Sequence, residues 1–281
     1  MHRVGSQAGT LETGIAANIE YSRRAGTGPK IVFLHGIGSN AHSFEATMED
    51  FPEPFDVIAW NAPGYSSSGP FQAAWPDAFD YAERLVDFLD FLGIQVCHLI
   101  GHSLGTLMAA AFAAKYPQRV DTLVLAACAI GYGSEPGGEL PEKAAARIDA
   151  LIAEGPEKFA AKRAPRLIYD AENNPELVSR VYDTMSKVKM PGYLHAVQML
   201  SCSKLDEILR KVKTSTSFLV GAQDVVTPPS QTAAAFDARN QSTGFVAEPV
   251  QFADAGHALY LQKQDKFIRA IERILSREVQ P

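Results

Sequence analysis

Ser103 stands in Gly101-His102-Ser103-Leu104-Gly105, directly after an apolar run at residues 96–100 and directly before Thr106-Leu107-Met108-Ala109-Ala110-Ala111-Phe112. The pattern predicts a serine on a tight turn between a strand and a helix. A serine hydroxyl is a weak nucleophile until a base lies within hydrogen-bond reach and donors await the oxyanion. Glycines at both second neighbours suit a strained turn in which strand and helix backbones come too close for larger side chains. Acyl transfer then needs a base, a group that orients the base, and donors for the developing negative charge.

His257, in Asp254-Ala255-Gly256-His257-Ala258, follows the last strand pattern and precedes the final helix, so it is the candidate base. Gly256 is expected to bend that loop and let the imidazole lean back toward the sheet. His98 falls inside a strand, His195 inside a helix, His2 near the start, His42 in an early loop, and His102 beside the serine with its side chain expected to point away. The orienting carboxylate should end another strand ahead of the histidine. Asp224 does so in Phe218-Leu219-Val220-Gly221-Ala222-Gln223-Asp224, whereas the strand pattern at 122–126 is followed by Ala127, Cys128 and Ala129, with no acid before Glu135. Asp254 is the rival, but three residues before the histidine on one loop it suits capping that loop. For the oxyanion, the amide of Leu104 opens a helix, and a second amide should come from His35-Gly36-Ile37-Gly38-Ser39-Asn40, where Ile37 is the expected donor. This chemistry requires neither a metal nor an organic cofactor.

These residues need a sheet to bring them together. Short apolar runs at 17–23, 30–34, 56–60, 96–100, 122–126, 217–220 and 246–252 alternate with helical patterns, the signature of a mostly parallel sheet with helices on both faces. Residues 77–92 illustrate the helices: Phe79, Leu85, Phe88, Leu89 and Leu92 recur at near-helical spacing and Gly93 ends the run. The alternation stops between 131 and 213, where helices are expected to start near Pro141, Pro156, Pro175 and Pro191 with no strand between them. The division expected is therefore a core of residues 1–130 and 214–281 with a helical cap at 131–213, lying over the carboxyl ends of the strands where ligands bind in open α/β sheets. The last residues, from about Glu278, are expected to fray.

The order of strand and His35-Gly36, serine turn, acid and histidine resembles the α/β-hydrolase fold superfamily across essentially the whole chain. The resemblance implies a Ser103, Asp224, His257 triad and an oxyanion hole at Ile37 and Leu104. Asn61-Ala62-Pro63-Gly64-Tyr65-Ser66 looks like that family's loop after the fourth strand, with Asn61 in place of a usual aspartate and Ser66 in place of a usual glycine. Among subfamilies the chain is similar to small bacterial esterases, 3-oxoadipate enol-lactonases and meta-cleavage carbon-carbon hydrolases. A serine at 103, where haloalkane dehalogenases and epoxide hydrolases carry aspartate, speaks against those two. Meta-cleavage hydrolases often carry tryptophan after the histidine, and here Ala258 stands there. The reaction expected is hydrolysis of a small carboxylic ester or lactone, with carbon-carbon hydrolysis as the alternative.

Two other classes deserve weight. Gly36-Ile37-Gly38-Ser39-Asn40-Ala41 follows a strand and fits a dinucleotide-binding turn, but the ribose-binding acid should end the next strand, which reads Ala59-Trp60-Asn61. A hydrolase-fold binding protein that has lost catalysis would lack a triad member, and all three candidates are present. At 281 residues with a net charge of -6, 46% hydrophobic and 21% charged residues, the chain has the composition of a packed soluble protein with no overall basic field for nucleic acid. No apolar run approaches the roughly 18 to 20 residues of a membrane span, and no apolar region follows Arg3, so no secretory signal and a cytoplasmic location are expected. Cys97, Cys128 and Cys202 are too scattered for disulfides or zinc. The partner expected is a small-molecule substrate, and a homodimer is allowed.

Within the cap segment, residues 157–166 carry four cations and one acid. Arg163 or Arg166 could hold a substrate carboxylate by a bidentate pair, or the stretch is a solvated helix face. Met185, Met190, Met199, Leu194, Leu200 and Tyr193 read as core or as an adaptable apolar wall.

Overall fold

The computed structural model describes residues 10–277, so the expectations for the extreme N-terminus and for the end from Glu278 lie outside the described residues. Eight strands form one sheet: β1 (Leu11–Ala16), β2 (Ile19–Arg24), β3 (Lys30–Leu34), β4 (Asp56–Trp60), β5 (Cys97–His102), β6 (Val120–Ala126), β7 (Ser215–Gly221) and β8 (Val250–Phe252). Their order across the sheet is β1-β2-β4-β3-β5-β6-β7-β8. The first two pairings, β1 with β2 and β2 with β4, are antiparallel, and every later pairing is parallel. The helices are α1 (Glu45–Asp50), α2 (Ala78–Phe91), α3 (Gly105–Lys115), α4 (Glu142–Arg163), α5 (Pro175–Met185), α6 (Gly192–Cys202), α7 (Leu205–Leu209), α8 (Pro229–Arg239), α9 (Leu259–Gln262) and α10 (Gln264–Arg277).

Central strands are mostly apolar on both faces because helices cover both: β4 and β5 are buried at every position. Asp77 starts α2 with a reciprocal cap, its side chain accepting from Phe79 and Asp80 while Asp80 accepts from the Asp77 amide. Helix α3 is buried over nine consecutive residues, Gly105 to Ala113, because it packs directly behind the strand that precedes it.

The edges of the sheet differ from the sequence reading. The run at 17–23 is half of a hairpin: Ala17 and Asn18 take positive φ and form the turn, β1 precedes it, and β2 follows. Leu11–Ala16 is an edge strand with an exposed outer face, so it lacks the apolar run that marked its neighbours. The run at 246–252 shrinks to Val250–Phe252 with one isolated bridge from Val246 to Thr216, since Pro249 has no amide to give to a ladder.

No strand lies between β6 and β7 among the described residues. Helices start there at the anticipated prolines: Pro141 and Pro191 cap α4 and α6, and Pro175 opens α5. Pro156 follows a break in α4, where Gly155 takes φ +75 and turns the axis. Gly192, the first residue of α6, touches the loop after β4 so closely that a Cβ would lie 2.2 Å from the Gly64 carbonyl oxygen. In that loop Ser66 adopts φ +49 where the similar family carries glycine. Asn61 accepts from the Ala41 amide at 2.8 Å and donates to Glu20 at 2.7 Å, fastening loops rather than entering the site.

Candidate active site

Strand β5 delivers Ser103 to a turn where it takes φ +53, a conformation rare outside glycine. The turn is held from both sides: the Ser103 amide donates to the Ala126 carbonyl at 2.9 Å, and the Thr106 hydroxyl donates back to the Ser103 carbonyl at 2.6 Å. Gly36 backs the serine, since a Cβ there would stand 3.3 Å from Ser103 Oγ and 2.9 Å from its Cβ.

Strand β7 ends at Gly221 and its loop carries Asp224, while the loop after β8 carries His257. Their side chains meet: His257 Nδ1 donates to Asp224 Oδ2 at 2.8 Å, which leaves Nε2 as the free base. Ser103, Asp224 and His257 are all at least 96% buried. Burial alone would push the Asp224 carboxyl up. The His257 charge and hydrogen bond, with the Thr227 and Val226 amides, outweigh it and hold the carboxyl below the usual range.

Two amides close the arrangement. Neither Ile37 N–H nor Leu104 N–H finds a protein acceptor among the described residues, and both residues line the cavity that Ser103 and His257 share. Backbone donors are otherwise satisfied almost everywhere in folded proteins, so two open donors beside a serine are a site for a negatively charged oxygen.

The cavity, about 760 Å³, is bounded on its far side by the helical segment: Arg147, Phe159, Arg163, Arg166, Leu167, Met185, Tyr193 and Leu200 all face it. Of the apolar residues left open between core and wall, Met185, Tyr193 and Leu200 are wall. Met199 is buried away from it and Met190 is 40% exposed. Lys158 and Lys162 do sit on a solvated face, Lys162 paired with Glu154 at 2.6 Å.

Three residues stand at the site that the sequence reading did not single out. The Thr227 hydroxyl lies 2.9 Å from Asp224 Oδ2, 3.0 Å from the Ala127 carbonyl and 3.2 Å from His257 Nδ1, while its amide bonds Asp224 Oδ1 at 3.0 Å. His102, expected to point away, donates from Nε2 to the carbonyl of His257 at 2.9 Å. Its other nitrogen has no partner among the described residues, and burial, with the nearby His257, pushes its pKa down to about 3. Gln262 accepts from the Gly256 and Tyr169 amides at 2.8 and 2.9 Å and donates to the Tyr169 carbonyl at 2.9 Å, tying the histidine loop to the segment after α4. Gly256 is required there by close approach rather than by bending, since a Cβ would meet the Tyr169 nitrogen at 2.7 Å. The spacing Asp224 to Thr227 was a usable signal, a carboxylate accepting from the third amide on. Nothing local announces the other two.

Compared with known proteins, residues 29–264 match the family model described as alpha/beta hydrolase fold. The chain belongs to that family. It is 22% identical to 3-oxoadipate enol-lactonase 2 of Acinetobacter baylyi over 89% of both chains. It is 29% identical to 2-hydroxy-6-oxononadienedioate/2-hydroxy-6-oxononatrienedioate hydrolase of Burkholderia vietnamiensis over 59% of each. Several other curated relatives are matched over only 30% of their own length. Among solved structures, the enol-lactonase from Burkholderia xenovorans LB400 superposes with a TM-score of 0.81 at 19% identity, covering 94% of this chain and 100% of that one. The family match and the relatives named as hydrolases support a hydrolase. No described helix is long and apolar enough to cross a membrane.

Proposed function

We propose that this α/β-hydrolase is a serine hydrolase of small carboxylic esters or lactones, with residues 131–213 acting as the cap over its substrate. Ser103 attacks the acyl carbon while His257 takes its proton. Asp224 holds the imidazole in the tautomer with its proton on Nδ1 and stabilises the imidazolium without itself taking the proton. The tetrahedral oxyanion sits between the Ile37 and Leu104 amides. His257 then protonates the leaving oxygen, and water repeats the sequence on the acyl-enzyme to release the acid. The observation that carries this reading is the meeting, in one cavity, of a serine on a strained turn, a histidine hydrogen-bonded to a buried carboxylate, and two amides without acceptors.

The reaction belongs in the cytoplasm, in keeping with cysteines that are all free. Hydrolysis of short p-nitrophenyl esters and labelling by a fluorophosphonate probe test it. Both should occur in the parent enzyme and vanish in Ser103→Ala and His257→Ala. The second reading, carbon-carbon hydrolysis of a ring-cleavage dienoate, is supported by the likeness to the Burkholderia vietnamiensis hydrolase. Inertness toward every ester and lactone, with turnover of such a dienoate, would put it first.

A further inference from the structure

The helical wall of the cavity that Ser103 and His257 share presents Lys143, Arg147, Arg163 and Arg166, and among the described residues no aspartate or glutamate lines it. None of these four cations has a carboxylate partner among the described residues, although nine other lysines and arginines do. In a chain of net charge -6 this is a local concentration of uncompensated positive charge inside a concave site. The four form a row. Lys143 and Arg147 are one turn apart on α4, and Arg163 lies near enough to both Arg147 and Arg166 for each to depress its ionisation, after burial as the main cause. Arg163 is also stacked on the Phe159 ring, 4.8 Å from its centroid, which fixes the plane of its fork. The Tyr193 hydroxyl faces Arg147 from the neighbouring helix. Arg147 and Arg163 are half-buried, whereas Lys143 and Arg166 are exposed, so the charges occupy two depths.

We propose that this row recognises a substrate bearing two free carboxylates besides its scissile ester or lactone, the inner one held by Arg147 and Arg163, the second met by an exposed cation at an end of the row, Arg166 or Lys143. The inference rests on the hydrolase reading and names the substrate class of the same site. Two planar guanidiniums with a tyrosine hydroxyl between helices suit the geometry of a carboxylate, and the exposed pair attracts the dianion before it enters. A neutral acyl chain would leave all four charges facing one another unpaired.

Three p-nitrophenyl esters test this: the butyrate, the half-ester of glutaric acid with one free carboxylate, and the monoester of tricarballylic acid with two. At low ionic strength kcat/KM should rise about tenfold with each added carboxylate, and the advantage should shrink as salt is added. Arg147→Met and Arg163→Met should each cut the ratio of diacid to butyrate by about tenfold, with Arg163→Lys retaining part of it. Equal turnover of the three esters, or a ratio unmoved in both methionine variants, overturns the proposal. Fluorophosphonate labelling of Ser103 separates the two levels. A labelled enzyme with no preference for the charged esters refutes the dianion and leaves the hydrolase reading standing, whereas an enzyme that is neither labelled nor active on any ester refutes the hydrolase reading itself.

Discussion

Thr227 shows most clearly how a side chain outside the proposed triad governs it. Its single hydroxyl proton lies between the Ala127 carbonyl and Asp224 Oδ2, and its oxygen also stands within reach of His257 Nδ1, so it limits how far carboxylate and imidazole can rotate against each other. Thr227→Val keeps the volume and removes those bonds. A hydrogen bond to a charged group is worth about 1.5 to 3 kcal/mol, so kcat should fall about tenfold or more with KM little changed, and Thr227→Ser should restore most of it. A merely structural threonine would instead lower thermal stability and leave the split between kcat and KM alone. At this scale the placement of Ser103, Asp224 and His257 beyond strand ends was legible because each follows the end of an apolar run. His102 and Gln262 were not, because what they hold is backbone from segments 155 and 93 residues away in the chain.

Between elements, the decisive feature is how tightly β5 turns into α3. A Cβ on Gly101 would lie 2.4 Å from the Gly105 carbonyl oxygen, and one on Gly105 would lie 2.1 Å from the carbonyl of Leu34 at the end of β3. Both obstacles are backbone, so neither can swing aside. Gly105→Ala should therefore push α3 away from β3, displacing the loop that carries the Ile37 amide as well as Ser103. Overpacking of this kind costs about 1 to 3 kcal/mol or more, which for a chain of this size lowers Tm by roughly 2 to 4 °C per kcal/mol. Calorimetry should show that drop together with loss of the proposed hydrolytic activity. By contrast Gly137→Asn, in open space at φ +78, should change neither. The central strands were readable from sequence because burial on both faces selects mostly apolar residues. The hairpin at β1 and the shortening at β8 were not, because an edge strand is half solvated and its extent depends on a partner distant in the chain.

For the whole molecule, the buried histidines couple stability to pH. His35 donates from Nδ1 to the Gly36 carbonyl at 2.9 Å and accepts the Ala62 amide on Nε2 at 3.0 Å, so its neutral form joins the loops after β3 and β4, and burial pushes its pKa down to about 4. His102 does the same for the histidine loop in its neutral form, at about 3. In the unfolded chain both return to the ordinary 6.5. Between the two values the unfolded state binds protons that the folded state refuses, so this stability is fully present above pH 6.5 and is lost as pH falls toward 4 and then 3. Each site contributes a slope of about 1.4 kcal/mol per pH unit within its window. The Asp224 carboxyl, held low by His257, adds a loss only further down, below the ordinary carboxylate range. Urea titrations at intervals from pH 7.5 to 4 should therefore give an unfolding free energy that is flat at the top and falls below 6.5 with an uptake of about two protons from His35 and His102 and a further contribution from His195, whose pKa burial also lowers. His102→Gln should remove one of them, and a slope in that variant equal to the parent's would show that residue 102 is protonated in the folded protein and does not hold the histidine loop as described.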